Sequence, residues 1–535
     1  MDRRTLLAAG TGLAVTATGA VACDGEASPP APSNEGGAPR TTPREATSPA
    51  TTSASARAGK PRAADWTALG KGLRGGLIRP SDADYAQARQ LYNTRFDHQR
   101  PAAIAYVAHT SDIAECLAFA RRHGTPLAIR SGGHSYAGHS GGTDRLVIDV
   151  SRLRSIRTGA GTATIGAGAK LIDVYTSLGA HGVTIPAGSC PTVGISGLTL
   201  GGGHGVVSRA YGLTSDSLVG ATVITADGRT VQTAKDREAE LFWALRGAGS
   251  GNFGVVTELR FRTHKAAAGV SAYLTWPWSK AAAVLRAWQA WGPTQPDEIW
   301  SALHLSAAPG RTPTVSLSAF SLGTYGDLQN ALDRLADAAG ASAKSVSLRR
   351  RGYLDAMRVY AGCSTHSTTQ CHLSGTTPGR EATGALRRET YGARSDFFDR
   401  SLNQQGIRAL LDQVERYGRG TGTGGGAVSV ALTALGGAVN RVAPLATAFV
   451  HRRSRMLAQY TASWPAGRSG ATQTAWLDSA HAAMRRHASG AAYQNYADAG
   501  LKDWRTAYYG AAANRLTAAK KRYDPNRLFT FAQAL

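Results

Sequence analysis

Hydrophobic and polar positions predict a compact α+β unit between residues 65 and 265. Short apolar runs of strand length, "AIAYVA", "PLAIR" and "RLVIDV", alternate with amphipathic helical patterns. The stretch "LVGATVITADGRTV" is typical of a β-hairpin that turns at Asp227-Gly228. The stretch "REAELFWALRGAG" then predicts a helix that leads into the strand "FGVVTELRFRT".

The pattern changes between residues 266 and 489. "VSAYLTWPW" and "TPTVSLSAFSLG" alternate like strands, and "SKAAAVLRAWQAW" and "DLQNALDRLADAAG" have the period of amphipathic helices. This predicts a second domain, an antiparallel sheet with helices on one face. Residues 490–535 predict a C-terminal segment whose helix ends before Asp524-Pro525.

The first 64 residues predict an export signal and a linker. Arg3 and Arg4 precede a short stretch of small apolar residues that ends in Ala20-Val21-Ala22, directly before Cys23. Residues 1–23 are thus typical of a twin-arginine signal, with Cys23 as a possible lipidation site and the one expected route to membrane anchoring. Residues 24–64, rich in Ser, Thr, Ala and Pro, predict a disordered linker.

Composition and cysteine spacing add few constraints. The formal net charge is +24, but no Lys/Arg run reaches five residues, so nucleic-acid binding is not expected. Cys363 and Cys371 favour a disulfide in an exported chain, although "CSTHSTTQCH" also allows a zinc site with His366 and His372. Cys116 falls on the apolar side of a helix that Ser111 caps and Gly124 ends, which predicts a buried thiol.

Two glycine-rich loops indicate a large phosphorylated cofactor. "LAIRSGGHSYAGHSGG" (127–142) follows a strand, and "PAGSCPTVGISGLTLGGGHG" (186–205) is long enough to close over the same ligand. Consecutive backbone N–H groups in such loops form concavities that bind phosphate.

Two other glycine motifs have the wrong context. "GSGNFG" (249–254) matches the dinucleotide fingerprint, but a predicted helix precedes it and a strand follows. "GHSGG" around Ser140 matches a hydrolase nucleophile elbow, but it leads into a strand instead of a helix. A serine hydrolase therefore remains only a distant alternative.

Five motifs, in order, carry a resemblance to a known family. They are "RSGGHSYAG", "GSCPTVGISGLTLGGGHG", "LFWALRGAGSGNFGVVT", "YQNYAD" and "YDPNRLF". The chain resembles the berberine-bridge-enzyme-like FAD oxidases of the vanillyl-alcohol-oxidase superfamily over roughly residues 85–535. The resemblance implies a PCMH-type FAD-binding domain at 65–265, a substrate domain at 266–489, and a segment at 490–535 that returns to the FAD domain.

The resemblance also implies a cofactor site. It places His134 on the 8α methyl and Cys190 on ring carbon 6 of a doubly linked FAD. Val193 corresponds to the position that controls oxygen access, and a small residue there favours an oxidase. The further implied cofactor contacts are Arg130, Ser131, Gly132, Gly133, Ser135, Gly194, Gly197, Leu198, Gly201, Gly254, Val256 and Asn495.

Hydride transfer from an alcohol also requires a base. The resemblance assigns that role to Tyr496 of "YQNYAD", and Tyr391 is a candidate second site tyrosine. If the segment is extended, Tyr493 and Asn495 share one face and Tyr496 takes the other. Because a phenol has a pKa near 10, Tyr496 needs either nearby cations or proton loss concurrent with hydride transfer. His139 and His204 receive no role in this interpretation.

The expected protein is an exported, bicovalent FAD oxidase. It would oxidise an alcohol carbon of a sugar or secondary metabolite and return the electrons to O₂ as H₂O₂, with no metal and no protein partner. An oxidative cyclase or a dehydrogenase of the same family is the alternative, and a glycan-binding lipoprotein lies outside flavin chemistry. Trp276, Trp278 and Trp300 could stack on sugars, but we expect them in the core.

Overall fold

The computed structural model describes residues 59–420 and 425–535, which form an α+β fold. The predicted export signal, the lipidation site Cys23 and all but the end of the predicted linker lie outside the described residues. The first helix begins at Ala63, two residues before the predicted domain boundary. Within the described ranges, no helix has the length and apolar character needed to cross a bilayer.

The first part of the chain, up to residue 265, contains three sheets. The parallel strands β2, β4 and β3 lie side by side with β1 antiparallel at the edge, β5-β6-β10-β8-β9 form an antiparallel sheet, and β11 pairs with β7. The strands are β1 (Leu77–Ile78), β2 (Ala103–Tyr106), β3 (Leu127–Arg130), β4 (Leu146–Asp149), β5 (Ile156–Gly159), β6 (Thr162–Gly166), β7 (Val183–Thr184), β8 (Leu218–Ile224), β9 (Thr230–Thr233), β10 (Val255–Arg262) and β11 (His264–Lys265). The helices are α1 (Ala63–Gly72), α2 (Tyr85–Ala88), α3 (Thr110–His123), α4 (Leu171–Gly179), α5 (Ile195–Leu200), α6 (Ser208–Tyr211) and α7 (Ala239–Ala244).

The strands and helices predicted in this part are confirmed, with one displaced cap. Every residue of β2 and β4 is buried, as expected for parallel strands covered on both faces. The β8–β9 hairpin turns where Gly228 has a φ of 90°. Helix α3 ends at Gly124 as predicted, but its N-cap is His109 instead of Ser111, because the His109 side chain accepts from the Ser111 N–H.

The second part is a seven-stranded antiparallel sheet in the order β15-β12-β14-β13-β17-β18-β16. Its strands are β12 (Gly269–Trp276), β13 (Ile299–Ala307), β14 (Thr314–Ser321), β15 (Ser345–Arg351), β16 (Tyr391–Phe398), β17 (Ala427–Ala434) and β18 (Met456–Ser463). Its helices are α8 (Ala281–Trp291), α9 (Tyr325–Ala339), α10 (Tyr353–Tyr360), α11 (Gln404–Gly418), α12 (Ala438–Arg441) and α13 (Ala471–Arg485).

The two faces of this sheet differ in polarity. Helices α8, α9, α11 and α13 bury apolar side chains against one face, as predicted, and Trp276 lies in that core. The opposite face, called the roof below, is rich in Ser, Thr, Tyr, His and Arg and looks toward the first part of the chain. Alternation along each strand separates the faces: in β12, Tyr273 is on the roof while Val270 and Leu274 join the apolar core.

The C-terminal segment packs on the first part of the chain. The predicted single helix is instead α14 (Trp504–Tyr509) and α15 (Ala513–Tyr523), separated at Gly510, whose φ is 44°. A helix interior does not tolerate that left-handed conformation. The buried Lys520 ammonium donates to the Asn252 carbonyl at 2.7 Å, and the Tyr509 hydroxyl donates to the Ala248 carbonyl at 2.8 Å.

A buried ion pair also joins the two parts of the chain. Arg452 of the second part forms a bidentate ion pair with Asp216 of the first, at 2.8 and 2.7 Å, and both side chains are buried.

After α10, Cys363 and Cys371 form a disulfide, which confirms the favoured prediction. The alternative zinc site is wrong, since the disulfide occupies both thiols, and the His372 imidazole lies 3.2 Å from the Asp173 carboxylate.

Candidate functional site

A cavity of about 1000 Å³ separates the roof from the first part of the chain. The wall opposite the roof, called the floor below, consists of the two glycine-rich loops and the segment 249–256. Most of the predicted site residues line this cavity together, although they come from four separate stretches of sequence. They are Ser131, Gly132, Gly133, His134, Ser135, Cys190, Val193, Gly194, Gly197, Leu198, Gly254, Val256, Asn495 and Tyr496.

The two glycine loops touch through their backbones. A Cβ atom on Gly132 would lie 2.8 Å from the Thr192 carbonyl oxygen, and one on Gly194 would lie 2.7 Å from the Ser131 Cβ. Real Cβ atoms do not approach other atoms so closely, so both positions require glycine. The loops therefore form one continuous, backbone-lined surface, as expected if the second loop closes over the same ligand as the first.

His134 is held rigidly in the floor. Its Nε2 lies 2.8 Å from the Thr192 hydroxyl, and its ring stacks on Tyr92 with centroids 4.0 Å apart. Burial lowers the pKa of His134 to about 3, with the Lys170 charge adding to the effect. The imidazole is therefore neutral at pH 7, and Nδ1 is the nitrogen that the Thr192 contact leaves available.

Three predicted site residues lie outside the cavity wall. Arg130 forms a buried ion pair with Asp149. Gly201 packs against Asn495, whose amide group occupies the space of a Cβ at that position. Tyr391, at the start of β16, is buried behind Tyr136, with the two rings edge-on at 5.3 Å. These residues support the wall from behind.

Tyr496 is hydrogen-bonded to a histidine that sequence reasoning passed over. The Tyr496 hydroxyl lies 2.8 Å from Nε2 of His204, which stands near the end of the second glycine loop. Residues Gln494–Tyr496 form a 3₁₀ turn, so the segment is not extended and the face assignment for an extended segment does not apply. The turn brings the Tyr493 and Tyr496 rings within 4.9 Å, and the Tyr493 hydroxyl accepts from Gly203 N–H and Asn495 Nδ2.

The environment of this pair disfavours charge. Burial raises the pKa of Tyr496 well above its usual value, and Tyr136, Tyr493 and Cys190 raise it further. Burial also lowers the pKa of His204 to about 4. Among the described residues no cation lowers the pKa of the Tyr496 phenol. Of the two alternatives that the sequence suggested, this leaves proton loss concurrent with hydride transfer.

Tyr136 and Gln459 complete the centre of the cavity. Gln459 of β18 donates to the Tyr136 hydroxyl at 2.9 Å, and the Tyr136 ring lies 5.2 Å from that of Tyr496. Tyr136 could have been found from sequence, since it stands two residues after His134 in the same motif. Gln459 and His204 could not, because their roles depend on contacts with distant segments.

The excluded motifs have the structures that their contexts predicted. Ser140 lies in the loop between β3 and β4, and no helix follows it, so the nucleophile elbow is absent from this part of the chain. The motif at 249–254 follows helix α7 and leads into β10, the reverse of the dinucleotide fingerprint. Within the ranges 59–420 and 425–535, no group of three His, Cys, Asp or Glu residues could hold a metal ion.

The cavity fits the flavin dinucleotide that the sequence resemblance implies. Its volume is at the upper end for small-molecule sites. A Cβ on Gly197 would meet no protein atom within 4 Å, so this helix position faces open space. The backbone-lined loops would hold the pyrophosphate, and His134, Cys190 and Val193 would lie against the ring system.

Family models match two separate segments of the described chain. The model described as "FAD binding domain" matches residues 101–234, which include His134 and Cys190. The model described as "Berberine and berberine like" matches residues 492–535, which include Tyr496. Both matches fall on segments that line the cavity.

Similar proteins span nearly the whole described chain. A chitooligosaccharide oxidase of Gibberella zeae is 30% identical over 482 residues, covering 85% of this chain and 92% of the relative. The structure of Physcomitrella patens BBE-like 1 superposes with a TM-score of 0.78 at 29% identity, covering 88% of this chain and 98% of the other. A carbohydrate oxidase from Microdochium nivale gives a TM-score of 0.78 at 25% identity, with 88% and 99% covered. The chain therefore belongs to the berberine-bridge-enzyme-like family of FAD-linked oxidoreductases, with the PCMH-type FAD-binding fold.

Proposed function

We propose that this FAD-linked oxidoreductase is an exported oxidase with a doubly linked flavin. It oxidises an alcohol carbon of a sugar or of a sugar-bearing secondary metabolite, and O₂ is its electron acceptor. The observation that carries the proposal is the hydrogen bond between Tyr496 and His204, in the same cavity wall as His134 and Cys190. Two relatives named as oxidases of chitooligosaccharides and carbohydrates support the substrate class.

The positions of His134 and Cys190 support the two covalent links. Both half-buried side chains line the cavity, on different glycine loops. The Thr192 hydroxyl fixes the His134 ring through Nε2, so that Nδ1 is the atom left for a bond to the flavin methyl. A neutral imidazole and a thiol are nucleophiles suited to such bonds.

Tyr496 and His204 supply the proton acceptor. FAD, held by His134, Cys190 and the two glycine loops, would supply the hydride acceptor and would return two electrons to O₂, which takes up two protons to give H₂O₂. Tyr496 takes the hydroxyl proton of the substrate while its own proton moves to His204 Nε2. Because ionising a phenol at pH 7 costs about 4 kcal/mol even without burial, we propose that this transfer accompanies hydride loss instead of preceding it.

Flavin retention is the first test of this function. We expect acid-precipitated wild-type protein to keep its yellow colour, His134→Ala and Cys190→Ala each to keep it through the remaining bond, and the double variant to lose it. Colour in the wild-type supernatant would contradict the covalent links while leaving a flavin enzyme intact.

Substrate oxidation is the second test. A panel of oligosaccharides should yield H₂O₂ in proportion to O₂ consumed. Flavin reduction by a sugar without H₂O₂ release would identify a dehydrogenase, and O₂-dependent ring closure of a metabolite without carbonyl formation would identify a cyclase.

Export is tested separately. Replacing Arg3 and Arg4 by Lys should retain the protein in the cytoplasm, whereas unchanged secretion would contradict the twin-arginine route.

A further inference from the structure

The roof carries two arginines that the proposed mechanism does not use. Arg349 and Arg351 lie on the edge strand β15 and line the cavity together with Ser345 and Ser347. Alternation along the strand directs Leu348 to the opposite face, where it packs against the apolar core under the helices. Arg350 shares that face with Leu348. The strand thus presents two guanidinium groups to the cavity at positions two residues apart.

The charge of the cavity wall is uncompensated. Among the described residues that line the cavity there is no Asp or Glu. Some arginines elsewhere in the described chain do have carboxylate partners, as the buried Arg452 has Asp216 and the buried Arg130 has Asp149, whereas Arg349 is exposed and Arg351 is half-buried. In residues 59–420 and 425–535, no acidic side chain forms an ion pair with Arg349 or Arg351. Their positive charge therefore acts on whatever enters the cavity.

Three buried polar atoms in the roof also lack a partner. Arg351 Nε, Trp300 Nε1 and His304 Nδ1 make no hydrogen bond within the described part of the chain. Leaving a buried donor unsatisfied costs about 1–3 kcal/mol, so three such atoms around one cavity indicate a polar ligand. Trp300 is the one tryptophan of the three considered from sequence that lines this cavity.

The arginines lie far from the reacting end of the cavity. Gln459 on β18 is beside Tyr136, and five strand-to-strand steps separate β18 from β15 in the sheet. At about 4.8 Å for each step, the distance across the roof is about 24 Å. Three aromatic rings lie between Gln459 and the arginines. The ring of Tyr360 is 5.9 Å from that of Trp300 and 5.8 Å from that of Tyr273, measured between centroids. Such a span suits an elongated substrate that stacks on aromatic rings.

We propose that Arg349 and Arg351 form a distal subsite for a carboxylate, so that the substrate is an acidic oligosaccharide. Its oxidised hydroxyl lies at Tyr496 and its uronic acid ring at β15. The planar guanidinium fork matches the two oxygens of a carboxylate. This inference deepens the proposed oxidase function and rests on it for the orientation of the substrate.

Binding tests the subsite without relying on turnover. Three tetrasaccharides of glucose are titrated calorimetrically, without O₂, into the enzyme whose flavin has first been reduced with dithionite, so that no hydride can be transferred: the neutral sugar, the same sugar with a carboxylate at C6 of the non-reducing ring, and the methyl ester of that acid. We expect the acid to bind about tenfold more tightly than the ester, the range for one charged hydrogen-bonded pair. The preference should shrink as salt is raised.

Matched variants locate the effect. The double variant Arg349→Gln/Arg351→Gln should bind the acid and the ester equally, with affinity for the ester unchanged. Arg350→Gln removes the same charge from the same strand on its opposite face, and it should keep the full preference. Equal binding of acid and ester to the wild type, or loss of the preference in Arg350→Gln alone, would overturn the subsite.

The same sugars separate this inference from the oxidase proposal. Release of H₂O₂ from acid and ester with equal kcat/KM would overturn the subsite and leave the oxidase intact. Tight, charge-dependent binding of the acid with no flavin reduction would support the subsite and contradict the oxidase function.

Discussion

The floor and the roof of the cavity are built from different parts of the polypeptide. The floor is largely backbone: Gly132 and Gly194 bring two loops so close that neither position has room for a methyl group. The roof is largely side chain, because alternate residues of an antiparallel sheet point into the cavity without taking part in its hydrogen bonding. A substitution in the floor therefore disturbs the fold itself, whereas side chains of the roof can be replaced while the fold remains.

The largest expected effect is therefore in the floor. Gly132→Ala places a Cβ 2.8 Å from the Thr192 carbonyl oxygen, so the loops must separate, and we expect complete loss of bound flavin. Absorbance of the purified protein and thermal unfolding measure this. Gly72→Ala is the control, since a Cβ there meets nothing within 4 Å. Full flavin content in Gly132→Ala would contradict the view that loop contact defines the floor.

The next effect concerns the tyrosine that closes the cavity between floor and roof. Tyr496→Phe removes the hydroxyl bonded to His204, and we expect kcat to fall by about 10²–10⁴-fold, the range for general-base catalysis. Rapid-scan measurement of flavin reduction isolates this step. Tyr391→Phe, behind the cavity wall, should change kcat less than threefold. A larger loss in Tyr391→Phe would support the second site tyrosine that the sequence suggested.

The pH dependence of the same step has a defined sign. Since burial lowers the pKa of His204 to about 4, the ring is neutral and able to accept a proton at pH 5–8, and it loses that ability as the pH falls through 4. We expect the rate of flavin reduction to be flat above about pH 5 and to fall about tenfold per unit below pH 4. His204→Gln should lower the plateau and remove this acidic limb. An unchanged limb in that variant would assign it to another group.

The smallest effect is expected in the roof. Gln459→Ala removes the hydrogen bond to Tyr136, and a neutral hydrogen bond contributes about 1 kcal/mol. We expect KM to rise about fivefold, with flavin content and unfolding temperature unchanged. Steady-state kinetics alongside thermal unfolding distinguishes this from a folding defect. A loss of flavin in Gln459→Ala would show that the roof, too, is part of the cofactor scaffold.

The same division explains what the sequence could predict. Floor residues lie within contiguous motifs, so His134, Cys190 and the glycines around them could be placed together from the sequence alone. His204 could not be paired with Tyr496, since 292 residues separate them. Strand β15 escaped prediction because five of its seven residues are exposed, and an exposed edge strand lacks the apolar alternation that indicates a strand. The helix break at Gly510 was likewise invisible, because one glycine does not by itself end a helical pattern.

The order of these walls along the chain also has a consequence for biosynthesis. The two glycine loops of the floor are synthesised first, the roof strands follow, and Tyr496 is synthesised after both. A growing chain can thus form the floor loops while the proton acceptor of the site is still missing. The proposed reaction centre therefore cannot form before residue 496 has been synthesised, however early the floor folds. Polypeptides truncated before residue 490 should be inert toward sugars, however well their remaining parts fold.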